Sequence, residues 1–192
     1  MQQKKFTGYI VGGVILLILV VWIFTSYNSL VKKEEKVKLQ WSEVQNTYQR
    51  RVDLIPNLVN AVRGSMDFER ETLTAVMEAR AKALTATGPA DAAQKEGQLS
   101  QALGRLLAVA ENYPTLKSND NVKMLQEELS GTENKVGFAR QFYNDIATNF
   151  NTAQQVFPAN LFAAALGFKP AELFEITTPA DREVPTVDLS RH

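Results

Sequence analysis

Few side chains in this chain are suited to catalysis or metal binding. Its 192 residues contain no cysteine and a single histidine, which is the last residue, His192. A cysteine nucleophile needs a cysteine, which the sequence lacks. A Ser-His-Asp triad and a histidine-ligated zinc each need an internal histidine, which it also lacks. Carboxylates remain, but adjacent pairs such as Glu127-Glu128 are typical of a solvated helix face. We therefore expect no enzymatic activity, no metal site and no other cofactor.

Residues that could form a structural or binding site fall into three groups along the chain. The groups are Asp53, Pro56 and Asn57; Glu111, Asn112, Tyr113 and Pro114; and Glu133, Asn134, Arg140, Tyr143 and Asn144. The second group is typical of a helix end, where polar groups satisfy terminal amides and carbonyls. The alternative is a ligand pocket near Asn112, Tyr113 and Asn134.

Arg140, Tyr143 and Asn144 have the spacing of residues that share one helix face. We expect the guanidinium of Arg140 to pair with Glu133 or Asp53 across a helical bundle. Buried pairs of this kind can fix helix register, and breaking one costs about 3–5 kcal/mol. This spacing therefore favours a structural role over a catalytic one.

The overall charge provides no electrostatic attraction to a polyanion such as a nucleic acid. Lysine plus arginine and aspartate plus glutamate each number 21, so the formal net charge is zero. A nucleic-acid-binding domain usually carries a basic excess. We therefore predict no nucleic-acid partner.

An uncharged apolar stretch near the N-terminus predicts a membrane anchor. No charged residue occurs from Phe6 to Leu30, and 8–27 is the length that spans a bilayer core. A cleaved signal peptide is the alternative, but the stretch ends in Thr25-Ser26-Tyr27 without the small-residue cleavage pattern. We predict that residues 1–30 form a short tail and a retained single-pass anchor in the lipid bilayer. The short basic N-terminal tail favours a C-terminal domain outside the cytoplasm.

Glycines in this stretch bear on self-association. Gly8 and Gly12 have the small-x-x-x-small spacing that lets membrane helices approach closely, and Gly13 adds to this face. We predict a homo-oligomer mediated by the anchor and the adjoining helix. Trp41 is either part of that interface or packed inside its own bundle.

The rest of the chain has the three-and-four spacing of amphipathic helices. This pattern predicts helices from Val37 to Gly88-Pro89 (kinked or broken at Pro56), 91–113, 120–157 and 159–166, with one further turn at 170–174. Ser118-Asn119-Asp120 offers N-cap residues for the third helix. The predicted fold is all-α: an anchor followed by an elongated antiparallel bundle of long, coiled-coil-like helices over 31–175. Residues 176–192 are expected to form an extended or disordered tail.

Several short motifs, taken together, resemble the LemA family of bacterial membrane proteins. They are Arg51–Val59, Ala79–Ala81, Leu106–Lys117, Leu125-Gln126, Glu128-Leu129, Thr132–Asn134, Ala139-Arg140, Tyr143-Asn144 and Gly167-Phe168. Arg63-Gly64-Ser65, Lys135 and Val122 depart from the family pattern. The resemblance implies a helical bundle in the bacterial inner membrane without an established enzymatic activity. It also implies membrane organisation or recruitment of partners, which include membrane proteins with a TPM domain.

The function predicted from the sequence is that of a membrane-anchored, self-associating scaffold or interaction protein. An anchor joined to a helical bundle without a catalytic constellation favours this interpretation. A membrane-anchored sensor or ligand-binding module is the alternative, and a deep pocket would favour it.

Overall fold

A computed structural model describes residues 2–64 and 69–174 of the chain. Within these ranges the chain is all-α, as predicted, and contains no strand. The helices are α1 (Gln2–Arg63), α2 (Arg70–Ala83), α3 (Pro89–Ala110), the short α4 (Pro114–Lys117) and α5 (Asp120–Gln155), followed by a 3₁₀ turn at Ala159–Leu161. The predicted tail over 176–192 lies outside the described residues.

Helix α1 begins with the apolar stretch that is predicted to be the anchor. Among the described helices it is the one long and apolar enough to cross a membrane. The side chains from Ile10 to Phe24 are all exposed. This exposure fits a helix whose surroundings are lipid rather than protein.

The helix boundaries near Gly64 and Pro114 differ from the sequence prediction. The first run does not continue to Gly88-Pro89, since α1 ends at Arg63 and α2 begins at Arg70. Gly64 directly follows α1, and glycine is a poor helix former. Pro114 does not close α3 but opens α4, because a proline fits the first turn of a helix, where its missing N–H has no partner in any case.

The ends of α5 agree closely with the sequence. The side-chain oxygen of Asn119 accepts hydrogen bonds from the backbone N–H groups of Asn121 (3.0 Å) and Val122 (3.4 Å), which is the predicted N-cap. The helix ends at Gln155, three residues before Pro158. The helix predicted for 159–166 is reduced to the 3₁₀ turn and further turns that end at Gly167 (φ 88°). Residues 170–174 form no helical turn.

The chain divides into two compact units. Of the described residues, the first unit combines the part of α1 up to Glu43 with residues 141–171, and the second combines residues 44–140 with residues 172–174. In the first unit Phe150 is buried and its ring meets that of Phe168 at 6.4 Å. Trp41 also packs within this unit, edge to face against Tyr143 at 5.9 Å. Of the two alternatives for Trp41, the structure therefore supports packing inside its own bundle.

The second unit contains the main apolar core. Its buried side chains come from α1, α2, α3, α4 and α5, and they are Val52, Ile55, Leu58, Val59, Val62, Leu73, Val76, Ala79, Leu99, Leu103, Leu106, Ala110, Leu116, Val122, Leu125 and Leu129. The spacing along each helix is the predicted three-and-four repeat. The polar cluster described below lies in the same unit as this core.

Candidate functional site

A buried ion pair joins α1 to α3 in the second unit. The side chains of Arg51 and Glu96 are each only 4% exposed, and Nη1 of Arg51 lies 3.3 Å from Oε1 of Glu96. The same Nη1 donates a hydrogen bond to the hydroxyl of Ser100 at 3.0 Å. Opposite charges in this low-dielectric position interact strongly but have also lost their hydration. The pair is therefore sensitive to the loss of either partner.

The cluster extends to α5 through Glu133. The carboxylate Oε1 of Glu133 lies 3.4 Å from Nη2 of Arg51 and accepts a hydrogen bond from Ser100 at 3.3 Å. The side chain of Glu133 is 57% exposed, so this end of the cluster faces solvent. One guanidinium thus contacts side chains of two other helices.

Three polar atoms of this region are buried without a hydrogen-bond partner among the described residues. They are Nε of Arg51, Oε2 of Glu96 and the hydroxyl of Tyr48. Burial raises the pKa of the Tyr48 hydroxyl above its ordinary value. Burial also raises the pKa of the Glu96 carboxyl, an effect that Arg51 opposes and the carboxylate of Glu133 reinforces.

The raised pKa of Glu96 predicts a pH-dependent contribution to stability. The folded state binds this proton more tightly than the unfolded chain, so the contribution decreases as pH rises from the ordinary value of 4.5 through the raised one. Glu96→Gln removes the titration. The free energy of unfolding of the wild type minus that of this variant should therefore decrease with rising pH in denaturant titrations. A difference that increases or stays constant would contradict the assignment.

A second polar contact explains how α1 tolerates Pro56. A proline has no N–H, so the carbonyl four residues earlier, that of Val52, loses its helical donor. In the structure Nε of Arg80, on α2, donates to this carbonyl at 3.0 Å. Asn57 and Asn60, the nearby amide side chains of α1, are exposed, and the donor comes from another helix.

The remaining members of the first predicted group are separate from the buried cluster. Asp53 is exposed and accepts a hydrogen bond from Gln49 at 2.8 Å on the same helix. Pro56 is half-buried within α1. Asp53, Pro56 and Asn57 therefore form no shared site among the described contacts.

The contact described for Arg140 is with an aromatic ring rather than with Glu133 or Asp53. Glu133 binds Arg51 and Asp53 binds Gln49, while the guanidinium of Arg140 lies 5.0 Å from the ring centroid of Phe174. This is a cation–π contact, which is worth about 0.5–1 kcal/mol at a partly exposed site. Of the residues grouped with it, Tyr143 packs on Trp41, Asn144 is half-buried and Asn134 is exposed.

The second predicted group lies between α3 and α4, as expected for a helix end. Glu111 and Asn112 are exposed, and Tyr113 is half-buried against the core. A groove of about 430 Å³ begins here and is lined by Leu107, Ala110, Glu111, Leu116, Val122, Lys123, Gln126 and Ser130. Asn112, Tyr113 and Asn134, expected around a ligand pocket, are not among its lining residues.

Taken together, the polar contacts join residues on different helices. Across 10–64 and 69–174, no three side chains of His, Asp or Glu come together to hold a metal ion. Arg51 and Arg80 entered the sequence analysis only as members of family motifs and Glu96 did not enter it, so none of the three was predicted as a site residue. A usable signal existed, because Arg51 and Glu96 have opposite charges and each interrupts the apolar repeat of its helix.

The glycines of the anchor lie in α1. An added Cβ at Gly12 or Gly13 would meet no atom within 4 Å, so this backbone is open to close approach. Gly8 lies one turn earlier in the same helix.

An all-α chain with one N-terminal helix long enough to span a membrane is typical of membrane-associated helical proteins. The LemA family model matches residues 40–189, and the chain belongs to this family. This confirms the resemblance found in the short motifs.

Curated relatives extend the comparison. Magnetosome protein MamQ 2 of Paramagnetospirillum magneticum is 28% identical over 85% of this chain and 70% of its own length. Magnetosome protein MamQ of Magnetospirillum gryphiswaldense is 26% identical over 91% of this chain and 74% of its own length. Protein LemA of Metamycoplasma hominis is 25% identical over 84% of this chain and 74% of its own length. These are not enzyme names, and together with the apolar helix they support localisation to a membrane.

Proposed function

We propose that this protein is a membrane-anchored scaffold that self-associates, with residues 31–192 outside the cytoplasm of a bacterial cell. The anchor and the family support the membrane part of this proposal. The observation that carries the interaction part is an apolar stripe on the side of α5 away from the core.

This outer stripe consists of Met124, Gly131 and Phe138. Met124 is 58% and Phe138 is 72% exposed, although both are large apolar side chains in the second unit. Successive members are seven residues apart, which is two helical turns or about 10.5 Å. Residues at this spacing face nearly one direction, as do the residues at one of the two seam positions of paired helices. The buried residues of α5, such as Leu125 and Leu129, lie on the other side.

The middle of the stripe is small and open. An added Cβ at Gly131 would meet no atom within 4 Å, so a partner helix can approach closely between the two large side chains. Glu127 and Lys135 flank Gly131 at four residues on either side. A second copy of this chain is the partner that we propose for this stripe, and the anchor glycines are free to add a contact within the bilayer.

Single cysteines in this cysteine-free chain provide the test. Lys135→Cys, beside the stripe, should give a covalent dimer with a short bis-maleimide in intact membranes. Adding Phe138→Glu should abolish that dimer, because a charge in the seam would be desolvated without a partner. Mass analysis of the denatured product is the readout.

The matched control is Ser130→Cys on the same helix. Ser130 lines the groove rather than the stripe, so its cysteine should cross-link poorly. Equal dimer yields at the two positions, or yields that Phe138→Glu leaves unchanged, would refute the assignment. Far-UV circular dichroism of each variant checks that the fold is retained.

A further inference from the structure

A second apolar region lies near the end of the described chain, in the first unit. No charged residue occurs between Asp145 and Lys169. Within this stretch four large apolar side chains are about half or more exposed: Val156 (52%), Phe157 (68%), Leu161 (72%) and Leu166 (49%). Exposed apolar side chains concentrated in so short a segment mark a surface that contacts another apolar phase.

Ring contacts put this segment beside the anchor. The ring of Phe157 lies 5.3 Å from that of Trp22, and the ring of Phe168 lies 5.7 Å from that of Tyr27. Trp22 precedes Tyr27 by five residues, or about 7.5 Å along the helix axis. Since the apolar span ends near Tyr27, Phe157 lies at a level of α1 that is within the bilayer rather than above it.

The backbone of this segment meets the requirement for entering an apolar phase. Exposed N–H groups are costly in lipid, because no water is present to bond them. Pro158 has no N–H, and the amides of Asn160, Leu161, Phe162, Ala163, Leu166, Gly167 and Phe168 all donate to carbonyls within the segment at 2.8–3.1 Å. The turns are therefore largely self-satisfied, unlike an ordinary surface loop.

We propose that residues 156–166 insert into the bilayer beside the anchor, as a second, non-spanning membrane contact. The partner of this apolar surface is lipid, because its exposed side chains lie beside the apolar span of α1, at the level of Trp22. Leu161 and Phe157 are immersed among acyl chains, and Lys169 remains at the headgroups. This inference rests on membrane anchoring by α1 but not on self-association through α5.

The test uses the full chain in phosphatidylcholine vesicles with a bimane label on one cysteine. Leu161→Cys should be quenched by lipids brominated on the acyl chains and shielded from aqueous iodide. Leu17→Cys, in the anchor, is the matched positive control. Gln141→Cys is an exposed position on α5, 16 residues before Phe157, and should show the opposite pattern. The label at Leu161 should lose about as much fluorescence to brominated lipid as the label at Leu17.

Each other outcome overturns the proposal. Iodide quenching at Leu161 equal to that at Gln141 would put the segment in water. Protection from both quenchers would show that protein covers it. If Leu17 is quenched by lipid and Leu161 is not, the anchor stands and this inference alone fails. If neither is quenched by lipid, both fail.

Discussion

Replacing Arg51 with alanine is expected to lower the free energy of unfolding by about 3–5 kcal/mol, because it leaves a buried carboxylate without its partner. Glu96 is as deeply buried as Arg51, and its Oε2 already lacks a hydrogen bond among the described residues. Ser100 would also lose its interaction with the guanidinium. Chemical unfolding of the full chain in mild detergent, followed by far-UV circular dichroism at pH 7, measures the change.

The neighbouring arginine is a matched control. Arg50 is 64% exposed and lies 3.7 Å from Glu128 at the surface. Arg50→Ala should therefore cost no more than about 1 kcal/mol. Replacing both Arg51 and Glu96 with methionine should recover most of the stability that the single change loses, because no charge is then stranded. Similar small losses for Arg50→Ala and Arg51→Ala would show that the buried pair does not hold the bundle.

Replacing Arg80 with methionine should cost about 1–3 kcal/mol, since it leaves the carbonyl of Val52 without a donor. Methionine retains most of the aliphatic length of arginine, so packing changes little. In a Pro56→Ala background the same replacement should cost much less, because the alanine restores the missing helical N–H to the carbonyl of Val52. A double-mutant cycle on the unfolding free energy measures this coupling.

The control for this cycle is Lys82→Met on the exposed face of α2. Lys82→Met should change the free energy of unfolding by the same small amount whether position 56 is proline or alanine. If Arg80→Met costs the same in both backgrounds, Arg80 does not compensate for Pro56.

Much of the fold could be predicted because its signals are local. The uncharged run, the three-and-four apolar repeat and the Asn119 cap each act within a few residues, and the structure has the long helices that they predict, although the first is divided into α1 and α2. The boundary at Arg63 was missed because the apolar repeat continues past Gly64, so periodicity outweighed one glycine. Pro114 was misassigned because a proline can follow one helix or begin the next.

The site was harder to predict, since its contacts join residues far apart in sequence. Arg51 meets Glu96 across 45 residues, and Arg80 meets Val52 across 28. Helical spacing places Arg140, Tyr143 and Asn144 on one face but does not say which helix they meet. The charges that interrupt two apolar stripes were the better guide, because a buried charge needs a partner of opposite sign.

The central claim is that this member of the LemA family acts as a self-associating scaffold in a membrane. The most direct test extracts the full chain from intact membranes with its surrounding lipid into polymer nanodiscs and counts the copies per particle by native mass spectrometry. The account predicts particles with two or more 21.4 kDa chains, reduced to single chains by Phe138→Glu. Single chains in the wild type, at native expression, would contradict it.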